Sequence, residues 1–197
     1  IGRIAHRYGA RLLVDAAQLV AHRTVAMERS GIDYLAFSAH KAYAPFGTGA
    51  LVGRADMFLQ GAPEYRGGGT VDRVTLDDVE WAGLPDREEA GSPNVVGAIA
   101  LAAAARALTE IGLDSVAEHE AALTGYALER LQSVPQLVLY GETDPLRTAD
   151  RLGVIPFNLD PLPHGLVAAI LGFEAGIGQR HGCFCAQSYV AHLLGVS

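Results

Sequence analysis

The sequence is poor in the residues that mark a disulfide scaffold, a membrane span or a nucleic-acid surface. It holds two cysteines in 197 residues, too few for a disulfide framework. They stand as Cys183-Phe184-Cys185, a spacing too close for an easy mutual bridge. Free thiols in a reducing compartment, the cytoplasm, are therefore expected. Lys and Arg number 15 against 22 Asp and Glu, a net charge of -7, which excludes the basic surface that non-specific nucleic-acid binding needs. The longest apolar run, residues 95–105, is broken by Arg106 and falls short of the roughly 18 residues of a membrane span. It reads as a buried core helix. No basic segment followed by an apolar one opens the chain, so no signal peptide is expected.

Charged residues are 19% of the chain, below the usual ~25%, so much of it is interior or interface. With 50% hydrophobic residues it is not intrinsically disordered. Its length allows one domain or one and a half and a core without disulfides or a structural metal. Glycine is abundant, at 23 residues, without a Gly-X-Y period. That points to tight turns and close backbone approaches. Ile1, Ile4, Ala5 and Tyr8 have helical spacing from the first residue, with no cap ahead of them. The chain is expected to be a piece of a longer protein.

Patterning predicts a helix over 1–8, a strand over 11–17, a short helix or loop over 18–30, and a turn at 31–33. A strand over 34–38, a Gly/Pro loop over 40–49 and a strand over 50–53 follow. This is α/β alternation, the pattern of a largely parallel sheet with covering helices. Residues 61–93 read as irregular, and so long a loop is uncommon without a purpose. Helices are expected over 94–111 and 115–133. Strands are expected over 136–140, 152–159 and 176–180, with helices over 164–172 and from near Ser188 to the end. A boundary near Gly112 would separate part of a large domain, 1–112, from a small α+β domain, 113–197. Gly67-Gly68-Gly69-Thr70 lacks the phosphate-loop pattern and reads as a flexible turn beside the active site.

Three features carry chemistry. Asp15 ends an apolar strand and is followed by Gln18. In open α/β sheets ligands bind at the carboxyl ends of strands, although Asp15 could equally cap the next segment. Ser38-Ala39-His40-Lys41 directly follows the second strand. A lysine there can serve as a Schiff-base nucleophile, while a lone lysine is usually a solvated loop residue and His40 a turn or core histidine. Arg180-His181-Gly182-Cys183-Phe184-Cys185 places Arg and His where they favour a thiolate. A closed zinc site wants four ligands, and only scattered histidines could complete one, so no metal is expected. Cys183 reads as a small buried hydrophobe. His22, His119, His164 and His192 read as surface or packing residues.

The stretches VDAAQ (14–18), GIDYLAFSAHKAYAPFGTGALVGR (31–54), REEAGSPNVVGAIAL (87–101) and GIGQRHGCFCAQSYVAHLLG (176–195) resemble class V aminotransferase-like enzymes that use pyridoxal 5'-phosphate (PLP). Within them the closest likeness is to the cysteine desulfurases of the selenocysteine lyase group. The resemblance covers essentially the whole chain, with the motifs in the family's order. It implies fold type I: α/β, a mostly parallel sheet with helices on both faces, plus a small α+β C-terminal domain. It also implies a homodimer with the active site near the subunit interface.

Residue by residue, the resemblance implies that Lys41 forms the Schiff base with PLP and that Asp15 pairs with the pyridine nitrogen. Gln18 would bond the phenolic oxygen, and Ser38 and His40 the phosphate. Ser92 would offer a hydroxyl to the phosphate of the neighbouring subunit, Arg180 would help bind substrate, and Cys185 would be the catalytic cysteine. The family's further phosphate and ring-stacking residues lie in a longer N-terminal part, and a carboxylate-binding arginine lies beyond Ser197. The implied reaction takes sulfur from L-cysteine as an enzyme persulfide and releases alanine, with a sulfur-acceptor protein as a further partner. A class V aminotransferase or a lyase on another amino acid, and a catalytically silent fragment, remain the alternatives.

Overall fold

A computed structural model describes residues 1–149 and 151–196. The chain divides into two units, Ile1–Ala117 and Glu118–Ser197.

The first unit is organised by a short mixed sheet. After helix α1 (Gly2–Arg7), β1 (Leu13–Asp15) leads through α2 (Met27–Ser30) to β2 (Tyr34–Ser38). β1 and β2 run parallel, with Leu13 opposite Tyr34 and Asp15 opposite Ala36. Their connection is long enough for the crossover that parallel strands require. β3 (Gly49–Gly53) returns antiparallel to β2, with Ser38 opposite Gly49 and Tyr34 opposite Gly53. The link from β2 to β3 is only about ten residues, too short for a crossover, so the chain must double back. The largely parallel sheet expected from the alternation is thus, within this chain, one parallel pair with an antiparallel edge. A one-turn helix, α3 (Ala55–Phe58), follows. Its Phe58 ring meets Tyr34 edge-on at 5.7 Å. Gly53 is required beside that ring, because a Cβ on it would stand 2.1 Å from Tyr34 Cδ1.

Asp33, which the sequence reading takes as a turn residue, is buried and draws three segments together. Its Oδ2 accepts from the Leu12 amide at 2.8 Å and lies 2.7 Å from His6 Nε2 on α1, while Arg11 reaches Oδ1 at 3.5 Å. The Leu12 amide, then His6, hold its carboxyl at about 2, below the ordinary 3.8. A lowered folded value means the stabilisation is whole above pH 3.8 and is lost as pH falls toward 2. Asp33→Asn is expected to lower the melting temperature at pH 7 and to flatten the dependence of stability on pH between 4 and 2. Thermal melts of both proteins across that window check this.

Residues 61–93 are not irregular throughout. β4 (Val71–Val74) and β5 (Val79–Trp81) form an antiparallel hairpin. Thr75 closes it, accepting from the Asp78 amide at 2.9 Å, and Arg73 pairs with Glu80 across it at 3.2 Å. Gly67–Thr70 forms a turn closed by Thr70. Thr70 is fully buried, and its hydroxyl donates to the Gly67 carbonyl at 2.7 Å.

Helix α4 (Val95–Ile111) forms where the apolar run predicts, but it is not buried in this chain. Val95, Val96 and Ile99 are more than half exposed. The whole chain exposes 14115 Å². Scaling gives roughly 9,000 Å² for a globular protein of this mass, and roughly 11,000 Å² even for two separate halves. Apolar surface is therefore left open, which is why composition reads as interior while the structure shows surface.

α5 (Leu113–Gln132) carries the chain from the first unit into the second. In the second unit β6 (Leu137–Leu139) and β7 (Phe157–Leu159) pair antiparallel. α6 (His164–Ala175) and α7 (Gln187–Leu194) follow. The strand expected over 152–159 forms only in its last three residues. The one expected over 176–180 joins no ladder and is a loop returning along α6, with the Ile177 amide donating to the Leu171 carbonyl at 2.9 Å. The final helix stops at Gly195, which is left-handed at φ 65°, and Ser197 lies outside the described residues. No single helix among the described residues is long and apolar enough to cross a membrane.

Candidate active site

In the first unit the chemistry gathers at the carboxyl edge of the parallel pair. Asp15 is the last residue of β1, Ser38 the last of β2, and Ala39–Ala42 is a single 3-10 turn carrying His40 and Lys41. Because β1 and β2 are adjacent and parallel, both termini open on the same side of the sheet, where open α/β sheets bind ligands. The Ala16 amide extends the ladder to Ala36 at 2.8 Å, and Ala39 bonds Thr48 at 2.9 Å. The edge is thus held by backbone on both sides.

Each expected residue can be placed. Asp15 is exposed and its Oδ1 accepts from the Ala17 amide at 2.9 Å. The local capping role and an outward-facing role therefore coexist, since Oδ2 stays open. Its exposure removes the desolvation cost expected for a carboxylate at an apolar strand end. Gln18 is exposed in the turn that follows. Ser38 precedes the 3-10 turn without capping it through its side chain. His40 is exposed and stacks on Phe46, ring centroids 4.7 Å apart and planes at 25°; it is not a core histidine. Lys41 is exposed, and among the described residues nothing bonds or pairs with it.

Ser92 is exposed two residues ahead of a tie that sequence reading missed. Asn94 caps α4, accepting from the Gly97 amide at 2.9 Å, and its Nδ2 donates to the Gly47 carbonyl at 3.1 Å. It therefore fixes the loop after Lys41 to the start of α4. The Ser-Pro-Asn stretch before an apolar run carries the signal of an N-cap, but nothing in it announces the contact with Gly47. A Cβ on Gly97 would stand 1.9 Å from Thr48 Oγ1, so the helix and the loop meet too closely for any other residue. Asn94→Ala is expected to cost about 1 kcal/mol or more, read from urea midpoints at constant slope.

The second unit places Arg180, Cys183 and Cys185 on one loop between α6 and α7. Both thiols are exposed, so Cys183 is not the buried hydrophobe expected of it. The Ala186 amide donates to the Cys183 carbonyl at 2.8 Å, closing a turn whose central residues, Phe184 at φ 51° and Cys185 at φ 60°, are both left-handed. Such a mirror-image turn is normally built on Gly or Asn. Two ordinary side chains there store strain of order 1 kcal/mol each and set Cys185 at the tip. Arg180 is exposed, and among the described residues no acid pairs with it.

The donor set of the first unit suits PLP: a partner-free amine for an aldehyde, an open carboxylate oxygen for a pyridinium, and a hydroxyl and an imidazole for a phosphate. An aminotransferase class-V sequence profile matches residues 1–195. A cysteine desulfurase of Klebsiella pneumoniae (strain 342) is 41% identical over 189 residues, 95% of this chain and 45% of the relative. A probable cysteine desulfurase of Halalkalibacterium halodurans is 40% identical over 95% of this chain and 44% of its own length. Among solved structures, the apo cysteine desulfurase of Thermococcus onnurineus NA1 superposes with a TM-score of 0.87 at 37% identity, covering 100% of this chain and 48% of that one. An Escherichia coli cysteine desulfurase gives 0.85 at 30%, covering 98% and 46%. The chain spans about half the length of the relatives it matches. A profile that takes in nearly every residue, together with an α/β sheet that presents a lysine and an aspartate at one edge, settles the family: the chain belongs to the class V aminotransferases.

Proposed function

We propose that this chain carries the lysine edge and the cysteine loop of a PLP-dependent cysteine desulfurase, which moves sulfur from L-cysteine to Cys185 and releases alanine. The observation that carries the reading is the gathering of Asp15, Ser38, His40 and Lys41 on the carboxyl edge of β1 and β2. PLP, when bound, supplies an aldehyde that joins an amine and a ring that draws electrons from the adjoining carbon. Lys41 would provide the amine that holds it and would move a proton at the substrate α-carbon. Asp15 Oδ2 holds the proton on the ring nitrogen. Gln18 bonds the phenolic oxygen. Ser38, His40 and, across a subunit boundary, Ser92 take the phosphate. Arg180 meets the substrate side.

The Cys185 thiolate attacks the sulfur of cysteine. A sulfur–sulfur bond forms, the carbon–sulfur bond breaks, and the carbon keeps the electron pair and gains a proton to become alanine. The enzyme is left as a persulfide on Cys185, ready for a thiol or a sulfur-acceptor protein. Exposure of the Cys185 thiol at the tip of its turn supports this role. The assembly we take for it is a homodimer, as the family resemblance implies. The reading takes fold type I for that enzyme, with a mostly parallel sheet covered on both faces. It divides this chain into part of the large PLP-binding domain, 1–112, and part of a small C-terminal domain, 113–197. Exposed free thiols suit a reducing setting, and we assign the protein to the cytoplasm.

The test is turnover of L-cysteine with PLP and a thiol reductant, measuring alanine and sulfide together. Equal amounts of the two are expected. Amino transfer to pyruvate or glyoxylate with no sulfide would overturn the desulfurase reading in favour of another class V reaction.

A further inference from the structure

We infer that Phe46 is a positioning residue for the phosphate end of the site: its ring holds the His40 imidazole by one face and leaves the ring nitrogens free to meet the phosphate. The inference rests on the proposed function in taking PLP as the cofactor and His40 as a phosphate ligand. The 3-10 turn Ala39–Ala42 ends at Tyr43, left-handed at φ 65°, and the Ala44 amide donates back to the Ala39 carbonyl at 3.1 Å. The chain thus folds over the turn it has just made, and Phe46 follows two residues on. Beyond Phe46 the loop is fastened twice. The Gly47 carbonyl accepts from Asn94 Nδ2 at 3.1 Å, and the Thr48 carbonyl accepts from the Ala39 amide at 2.9 Å. Phe46 therefore starts from a fixed backbone, and its ring lies on His40 with centroids 4.7 Å apart and planes at 25°. Phe46 is 81% exposed, so the ring fills no core.

A stacked ring covers a face of the imidazole, whereas its two nitrogens lie on the edge. Among the described residues no hydrogen bond or ion pair uses them. An exposed imidazole without the stack turns about its side-chain bonds and loses that freedom when it takes up an anion. The stack removes part of the freedom beforehand. A phosphate also favours the imidazolium form, and an aromatic face attracts a cation lying over it. Both gains need a flat aromatic ring at position 46, which tyrosine keeps and leucine does not. Both act only through His40, and only on a ligand that carries a phosphate. Those two conditions separate positioning from a general contribution of Phe46 to the loop.

The experiment uses this chain, with its fold monitored by circular dichroism. Without PLP, proton spectra are expected to show the carbon-bound ring protons of His40 shifted upfield in wild type and Phe46→Tyr, and not in Phe46→Leu. Absence of that shift in wild type would overturn the inference outright. PLP and pyridoxal, which lacks the phosphate, are then titrated by absorbance, and borohydride reduction with peptide mapping reports whether Lys41 is the site. Phe46→Leu is expected to raise the Kd for PLP about fivefold, with Phe46→Tyr near wild type and the Kd for pyridoxal unchanged in both. In a His40→Ala background, adding Phe46→Leu is expected to cost nothing further, whereas a merely structural role weakens binding in either background. An equal Kd for PLP in wild type and Phe46→Leu overturns the positioning role and leaves His40 and Lys41 in place. So does an equal cost with pyridoxal or in His40→Ala. If His40→Ala binds PLP as well as wild type does, the phosphate role of His40 falls and the inference with it. Unmodified Lys41 in wild type overturns the reading of the site itself, and this inference too.

Discussion

Lys41→Ala is expected to reduce sulfide release from L-cysteine to background, a loss on the order of 10³-fold or more, while leaving the melting temperature near that of wild type. The two halves of this expectation come from different observations. The activity loss follows because Lys41 is the one amine on the carboxyl edge shared by β1 and β2, and no neighbouring side chain can both anchor PLP and move the α-proton. The intact stability follows because Lys41 is exposed and bonds to nothing among the described residues. Truncating such a side chain removes no packing and leaves no group unsatisfied. Added methylamine, supplying the amine from solution, is expected to restore part of the rate. Sulfide assay and calorimetry on the same preparations check both halves.

Cys185→Ala is expected to lower sulfide release on the order of 10²-fold or more, whereas Cys183→Ala retains most of it. Both thiols are exposed, so exposure does not separate them; the turn does. Cys183 opens it, and Cys185 sits inside it in a left-handed conformation. Cys185→Ala should still bind PLP, because the residues proposed to hold it are Asp15, Gln18, Ser38, His40, Lys41 and Ser92. Its absorbance change on adding L-cysteine should persist without sulfide. Equal losses in the two variants would mean that the turn does not discriminate between the cysteines.

The part of this architecture that was legible in the sequence is the part encoded locally. The alternation of apolar runs and turns marks β2 and α4 almost to the residue, and the positions of Asp15, Ser38, His40 and Lys41 after apolar runs mark them as strand-end residues. What stayed hidden depends on partners distant in sequence. Asp33 looks like a turn residue because its bonds go to Leu12, His6 and Arg11. Asn94 signals a cap, but its tie to Gly47 spans 47 positions. His164 reads as a surface histidine because its partner lies 17 residues on. Composition misleads about α4 for the same reason. An apolar helix says that something covers it, not that the covering surface belongs to this stretch of chain. The hairpin at β4 and β5 was missed because glycine and proline on either side outweigh two short runs whose pairing Thr75 closes.

Borohydride trapping decides whether Lys41 is the cofactor lysine. The chain is incubated with PLP, reduced, digested and mapped by mass spectrometry. With Lys41→Ala as the control, one dominant pyridoxyl adduct is expected, on Lys41 and absent from the variant. An adduct on the N-terminal amine or no preferred adduct, with Lys41 unmodified, would contradict it.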